Sequence, residues 1–330
     1  MQTIQNNIEM DGEVIVSFVI PVYNVPTEML IECIESIRQL SLRPSEREII
    51  VVDDGSDASP LLKLSDVADE LTYIRQKNCG VSVARNMGLK VATGQFVQFV
   101  DADDLLVRMP YEHVLDLVRY RRTDMVMFDF CETPDTKGDY SDKEPMAGST
   151  LLRSSNIHGS VWGFVFRRAV LGSLRFTPGI AYGEDEEFTP QLLLRTDSVI
   201  VTDARAYCYR QRPTSAINRK DARAHLQRLH DAKTVIMSLK NKAATLPAEE
   251  RVAMQRRTAQ LTMDYIYNVI VLTRSRHYLD RQLEELRRKG LFPLPDRDYT
   301  KKYTWFRRMT NSSLGLTVLL RTLPLMSKER

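Results

Sequence analysis

Three runs of carboxylates stand out in this chain: Asp53-Asp54, Asp101-Ala102-Asp103-Asp104 and Glu184-Asp185-Glu186-Glu187. Acids gathered this closely repel one another unless hydrogen-bond donors or a cation compensate them. A hard divalent ion such as Mg2+ or Mn2+, held by oxygens and sharing phosphate oxygens, suits such an arrangement. The bland alternatives carry weight too. A lone D-x-D occurs by chance in solvated turns, and four acids after Gly183 are also the ordinary first turn of a helix, favoured by its dipole. A strand-end Asp pair followed by another strand-end Asp also mimics a phosphoacceptor receiver domain. Receiver domains are compact, however, and this chain has a further half with its own acidic run.

The elements that must position these acids are legible in the first 130 residues. Val14 to Ile20 is an apolar, β-branched run ending at Pro21-Val22-Tyr23-Asn24, and Leu30, Cys33, Ile34 and Ile37 recur at helical spacing. Glu48 to Val52 predicts a second strand running into Asp53, Ser59-Pro60 a helix start, and Leu71 to Arg75 a third strand. A helix is expected from about Val81, stopping at Gly94, before a fourth strand, Phe96 to Val100, delivers Asp101. A helix through Val114, Leu117 and Val118 and a strand over Met125 to Phe130 follow. Alternation of this kind predicts an α/β fold with a mostly parallel sheet flanked by helices. Ligands bind at the carboxyl ends of such strands, so Asp53-Asp54 and Asp101 to Asp103 are expected to share one crevice.

Beyond this, Thr133 to Ser149 reads as a loop or boundary, Val161 to Phe166 and Val199 to Tyr209 as strands, and Gly183 to Phe188 as a helix opening. From about Arg219 to Lys289 the pattern is helical, with Leu226, Leu229, Ile236 and Leu239 on one face. The expected organisation is an N-terminal tail over 1–13, an α/β domain over 14–215, a helical region over 216–300 and a basic amphipathic tail over 301–330. The α/β domain divides into halves of about 14–130 and about 150–215.

With 46 Lys and Arg against 43 Asp and Glu, the net charge of +3 advertises no nucleic-acid surface, and no nucleic-acid partner is expected. Cys33, Cys79, Cys131 and Cys208 share no metal-binding spacing and read as reduced thiols, pointing to the cytoplasm. Met1 to Glu13 has neither a basic region nor a long apolar stretch, so no signal peptide is expected. The five histidines show no ligand or triad spacing, and no Walker-type, G-x-S-x-G or dinucleotide glycine motif occurs. Between Lys301 and Arg330, seven basic residues face one acid, beside Tyr303, Trp305, Phe306 and an apolar stretch from Leu314 to Met326. Such a tail either packs on the domain or lies in the interface at the cytoplasmic face of a membrane.

Four segments in order, Ser17 to Asn24 (SFVIPVYN), Val51 to Ser56 (VVDDGS), Ala84 to Gly88 (ARNMG) and Phe99 to Asp104 (FVDADD), resemble family-2 glycosyltransferases, and Gly183 to Phe188 (GEDEEF) is similar to that family's later acidic motif. The likeness covers roughly residues 14–215. It implies a GT-A (nucleotide-diphospho-sugar transferase) fold with a helical C-terminal extension, and an inverting transfer from a nucleotide sugar, most simply a UDP-sugar. The acceptor it implies is a hydroxyl of a saccharide or lipid-linked glycan, in polysaccharide biosynthesis. Carried over residue by residue, Pro21, Tyr23 and Asp54 surround the base and ribose, Asn78 and Arg85 hold the nucleotide, and Asp101 and Asp103 match the ribose and metal motif. Asp104 competes with Asp103 for the cation.

By the same resemblance Asp185 is the general base that takes the acceptor proton, with Glu184 beside the acceptor. Its acidic neighbours raise carboxylate pKa values while a nearby cation lowers them. Trp162 sits where relatives place an acceptor aromatic, although a core tryptophan is as good an explanation. Tyr209-Arg210, with Ser215 downstream, is similar to a diphosphate-approaching motif, against the alternative of a surface arginine. Two other readings stand beside this one. A sugar-nucleotide nucleotidyltransferase would want a glycine-rich basic loop after strand one, which Pro21 to Pro26 lacks. A non-catalytic sugar-binding or membrane scaffold would show damaged acidic motifs, yet Asp54, Asp101, Asp103 and Asp185 are all present.

Overall fold

The computed structural model describes residues 13–133, 138–211 and 221–326. The chain divides into two compact units. The first comprises Met1–Pro145, Val161–Gly179 and Ser198–Gln211; the second comprises Met146–Ser160, Ile180–Asp197 and Arg212–Arg330. The division is interleaved, so segments 146–160 and 180–197 cluster with the C-terminal helices.

The first unit is built on an eight-stranded mixed sheet. Its strands are β1 (Val16–Val22), β2 (Arg47–Asp53), β3 (Leu71–Arg75), β4 (Phe96–Phe99), β5 (Leu105–Leu106), β6 (Met125–Cys131), β7 (Phe164–Arg167) and β8 (Val199–Cys208), in spatial order β3-β2-β1-β4-β7-β6-β8-β5. β1, β2, β3 and β4 are mutually parallel; β7 runs antiparallel to β4 and β6; β8 is parallel to β6; and β5 is antiparallel to β8. β1 is apolar on both faces because it is central, with Val16, Phe18, Val19 and Ile20 fully buried. Pro21 is tolerated there because β4 pairing ends at Val19.

Helices α1 (Thr27–Arg38), α2 (Val81–Val91) and α3 (Arg108–Tyr120) cover this sheet. Leu30, Cys33, Ile34 and Ile37 of α1 enter the core, as their spacing predicts. Ser59-Pro60 does open a helix, but a 3-10 one spanning Pro60–Glu70, with the Ser59 hydroxyl accepting from the Leu61 amide. The strand expected from Val161 starts at Phe164, because Val161–Gly163 forms a 3-10 turn.

The second unit is helical: α4 (Gly148–Ser154), α5 (Glu184–Leu193), α6 (Ala222–Ala243), α7 (Ala248–Thr273), α8 (Arg276–Arg288), α9 (Lys301–Thr310) and α10 (Ser313–Met326). α4 lies at the end of the stretch expected to be loop. The Asp221 carboxylate caps α6 through the Ala224 amide at 2.9 Å, and Ser275 caps α8 through Tyr278 at 3.2 Å. α7 is the hub, buried on most of its circumference, and its Arg256 guanidinium donates to the carbonyls of Leu152, Ser155 and Asp298 at 3.0, 2.8 and 2.9 Å. In the tail, Phe306, Leu316 and Leu319 are buried while Trp305, Leu314, Val318 and Leu325 are exposed. Among the described residues no helix is long and apolar enough to cross a membrane.

Candidate functional site

Strand direction alone gathers most of the expected site at one edge of the sheet in the first unit. β1, β2 and β4 end there and deliver Tyr23, Asp53-Asp54 and Asp101. β6 and β8 end at the same edge and deliver Phe130 and Tyr209-Arg210, while β7 and β5 begin there, just after Trp162 and Asp104.

Asp53 and Asp54 point their hydrogen bonds in different directions. The fully buried Asp53 accepts from the Ser56 amide at 2.8 Å and the Tyr73 hydroxyl at 2.8 Å, and pairs with Arg75 at 3.2 Å. Burial alone would raise its pKa, but the Ser56 and Tyr73 hydrogen bonds and the Arg75 charge together hold it below the usual carboxylate range. Asp54, 3% exposed, accepts from the Gln76 side chain at 2.7 Å and from the Cys79 and Gly80 amides at 2.9 and 2.8 Å. It therefore caps the approach to α2 and fixes the loop that carries the exposed Asn78. Gly55 is required at the turn after Asp54: its φ is +78°, and a Cβ would lie 2.7 Å from the Asn78 nitrogen.

The segment Ala84 to Gly88 explains itself once α2 lies on β1. A Cβ at Gly88 would sit 2.2 Å from a Val19 methyl, so only glycine permits this approach. Asn86 exchanges two 2.9 Å hydrogen bonds with the backbone of Phe176. Arg85, its side chain 4% exposed, bonds Asp101 Oδ1 at 3.3 Å and lies 5.4 Å from the Phe176 ring. It thus meets Asp101 directly; the resemblance implied that it holds the nucleotide.

The run Asp101 to Asp104 divides by exposure. Asp101 and Asp103 are half-buried, the Asp101 side chain being 30% exposed, whereas Asp104 is 1% exposed. Asp104 Oδ1 accepts from the Arg210 amide at 2.7 Å and Oδ2 from the Tyr207 hydroxyl at 2.8 Å. The same hydroxyl accepts from the Asp101 amide at 3.0 Å. Burial, then the charge of Asp101, with Asp103 adding, push the Asp104 carboxyl up to about 8 against its hydrogen bonds from Arg210 and Tyr207. Asp104 was expected to compete with Asp103 for a cation; in the fold each of its oxygens accepts a hydrogen bond from the protein.

Arg210 bonds the Asp103 carbonyl, the Glu32 carboxylate and the Met29 carbonyl, so it ties β8 to α1. Trp162 is neither a plain core residue nor an isolated platform. It stacks on Tyr207 at 4.5 Å and Tyr209 at 6.0 Å and meets the exposed Phe130 edge-on at 5.3 Å. Pro21 is half-buried and Tyr23 is 50% exposed. Tyr207, the residue that couples Asp101 to Asp104, escaped the sequence reading: alternation from the exposed Asp203 and Arg205 puts it on the outward face, yet it is fully buried. Ser215 lies outside the described residues.

Among the described residues, no group of three or more His, Cys, Asp or Glu is arranged to hold a metal by itself. Two half-open carboxylates, Asp101 and Asp103, still fit an ion such as Mg2+ or Mn2+ that takes one or two carboxylates and completes its shell with water and substrate phosphates.

Asp185 and Glu184 belong to the second unit, in the first turn of α5 after Gly183, whose φ is +84°. Both are half-buried. Their neighbours are pinned: Glu186 pairs with Arg257, and Glu187, 3% exposed, accepts from the Ser238 hydroxyl. The preceding turn is held by Asp231, which accepts from the Ala181 and Tyr182 amides at 3.0 and 3.1 Å.

Residues 17–173 match the profile of glycosyl transferase family 2. The uncharacterized glycosyltransferase EpsJ of Bacillus subtilis (strain 168) is 29% identical over 238 residues, covering 66% of this chain and 68% of that protein. Two further curated relatives are longer, and the chain spans 31% and 24% of their lengths. In fold, the chain is similar to a fragment of S. aureus TarS solved in complex with UDP-GlcNAc, with a TM-score of 0.53, 19% identity and coverage of 84% of this chain and 92% of that one. It is also similar to the mannosyltransferase PcManGT from Pyrobaculum calidifontis, solved with GDP-Man and Mn2+, with a TM-score of 0.56, 15% identity and coverage of 96% and 88%. The fold is GT-A, a mixed, mostly parallel sheet flanked by helices with a helical C-terminal region.

Proposed function

Through residues 17–173 this chain belongs to glycosyl transferase family 2, and on that premise we propose that it moves a sugar from a UDP-sugar to a hydroxyl of a saccharide or glycolipid acceptor, with inversion. The observation that supports the reading best is the strand-end acidic run in which Asp101 and Asp103 are half-buried while Asp104 beside them is buried. Pro21, Tyr23 and the Asn78 loop clasped by Asp54 bind the base and ribose. Arg85 and the Tyr207 hydroxyl position Asp101, and Arg210 positions Asp103. Asp101 and Asp103 would hold Mg2+ or Mn2+, which when bound offsets the charge on the departing diphosphate. Asp185 accepts the proton of the attacking hydroxyl as the new glycosidic bond forms, and Glu184 and Trp162 orient the acceptor. Attack opposite the leaving group inverts the anomeric carbon.

Calorimetry with UDP, with and without Mn2+, tests the donor side, and a panel of nucleotide sugars scored for transfer or hydrolysis tests the chemistry. UDP binding indifferent to Mn2+, or no turnover of any nucleotide sugar, would end this reading.

The tail adds a membrane contact. Lys301, Trp305 and Arg308 on α9, and Leu314, Val318, Arg321 and Leu325 on α10, are exposed at helical spacing, while the opposite faces pack inward. A basic and apolar outer stripe suits anionic lipid headgroups. Flotation with phosphatidylserine vesicles checks it: Leu314→Glu with Leu325→Glu is expected to abolish flotation, and unchanged flotation would exclude this contact.

A further inference from the structure

The helical unit contains a cavity of about 410 Å3 lined by α6, α7 and the start of α5, a volume within the range of about 300–1,000 Å3 that holds small ligands. Gly183 and Glu186, on either side of Asp185 in the chain, belong to its lining. Its walls are chiefly aliphatic: Leu229, Ala232, Val235 and Ile236 from α6, with Leu261 and Leu272 from α7. The charged residues around it are already engaged with the protein. Glu186 pairs with Arg257, the Asp264 carboxylate accepts from the Tyr303 hydroxyl at 2.8 and 3.0 Å, and the Arg228 guanidinium lies 5.1 Å from the centre of the Tyr182 ring. What the cavity chiefly offers a ligand is therefore apolar surface, against which many of a free saccharide's hydroxyls would lack partners.

We propose that this cavity receives the alkyl portion of an amphiphilic acceptor, beside the acidic turn that carries Asp185. The proposal rests on the reading of Asp185 as the base at the acceptor hydroxyl. It narrows the acceptor class from any saccharide to one whose aglycone is a hydrocarbon chain. Burial of that chain against Leu229, Val235, Ile236 and Leu261 supplies binding in proportion to the apolar area removed from water.

Titration of the full chain with methyl and n-octyl β-D-glucopyranoside, the latter below its critical micelle concentration, isolates the alkyl contribution. The octyl glucoside is expected to bind at least tenfold more tightly. Ala232→Trp, which fills the cavity from α6, is expected to remove that difference. Asn268→Trp, at an exposed position lining the cavity, does the same without a core substitution. Equal binding of the two glucosides by the native chain overturns the proposal, as does an octyl preference that survives in both folded variants. UDP binding measured alongside separates the two readings. An octyl preference lost in the variants while UDP still binds supports the cavity's role, and a native chain that shows the preference but never binds UDP keeps the alkyl site and discards the transferase reading.

Discussion

The acidic run of the sheet unit and that of the helical unit solve the same problem with opposite means. In Asp101 to Asp104 the outlier is the last acid, buried at 1% exposure and satisfied by a tyrosine and a backbone amide, while Asp101 and Asp103 remain half-open. In Glu184 to Glu187 only the last acid is buried, its carboxylate accepting from a serine hydroxyl, while the half-buried Glu186 pairs with a guanidinium and Glu184 and Asp185 are half-buried too. Adjacent carboxylates of one chemical type thus differ in burial, Asp104 and Glu187 lying inside and Asp101, Asp103, Glu184 and Asp185 half-buried. The difference lies in the partners: neutral donors for Asp104, and a buried cation for Glu186.

Substitutions can break or sharpen this division. The largest effect is expected for Asp185→Asn, which removes a proton acceptor with little change of shape. Turnover should fall about 100- to 10,000-fold while UDP binding persists, and a kinetic comparison showing near-native turnover would remove Asp185 from the chemistry. Next comes Asp54→Ala, which strands the Gln76 side chain and the Cys79 and Gly80 amides. A loss of about 3 kcal/mol, read by urea unfolding, follows from donors left without a partner. A change within error would mean the loop is held by other contacts.

Asp103→Ala should weaken UDP binding in Mn2+ by about 10- to 100-fold, as loss of support at a metal site does, with little effect on unfolding. Asp104→Ala should do the reverse, lowering stability by about 1–3 kcal/mol because the Tyr207 hydroxyl and Arg210 amide lose their acceptor. If the two variants behaved alike, the division between open and buried acids would fail.

The smallest effects concern pH and separate the units by sign. Burial, opposed by the Tyr303 hydrogen bond and the Arg257 charge, leaves the Asp264 carboxyl of α7 above its usual range. A raised carboxyl stabilises the fold below its unfolded pKa of about 3.9, and that contribution is lost as pH rises through the folded value. Asp53 lies below the usual range, so its contribution is present above about pH 3.9 and lost as pH falls through its folded value. Between pH 3 and 6, Tm measurements should therefore show Asp264→Asn gaining on the native chain as pH rises and Asp53→Asn falling behind it. Parallel slopes would contradict the assigned environments.

Much of the first unit was legible from residue order because local patterns dictated it. An apolar run followed by Asp-Asp-Gly-Ser can only be a strand leaving the core into an acidic turn, and β1, β2, β3 and β4 stand where periodicity puts them. Gly88 and Gly55 were visible as motif letters, though their reasons, the Val19 methyl and the Asn78 amide, were not. The short β5, the 3-10 turn before β7 and the interleaving of the two units escaped, since each depends on contacts far along the chain.

The sequence by itself determined that acids would follow strand ends, that α2 would carry Arg85 and Asn86, and that a helix would open on Gly183. Only the tertiary structure decided which acids in each run meet distant partners. That choice depends on partners such as Tyr207, which lies 106 positions from Asp101, and Arg257, which lies 71 from Glu186. Hydrogen bonds reach about 3 Å, and nothing in the local sequence says which distant donor will arrive within that distance.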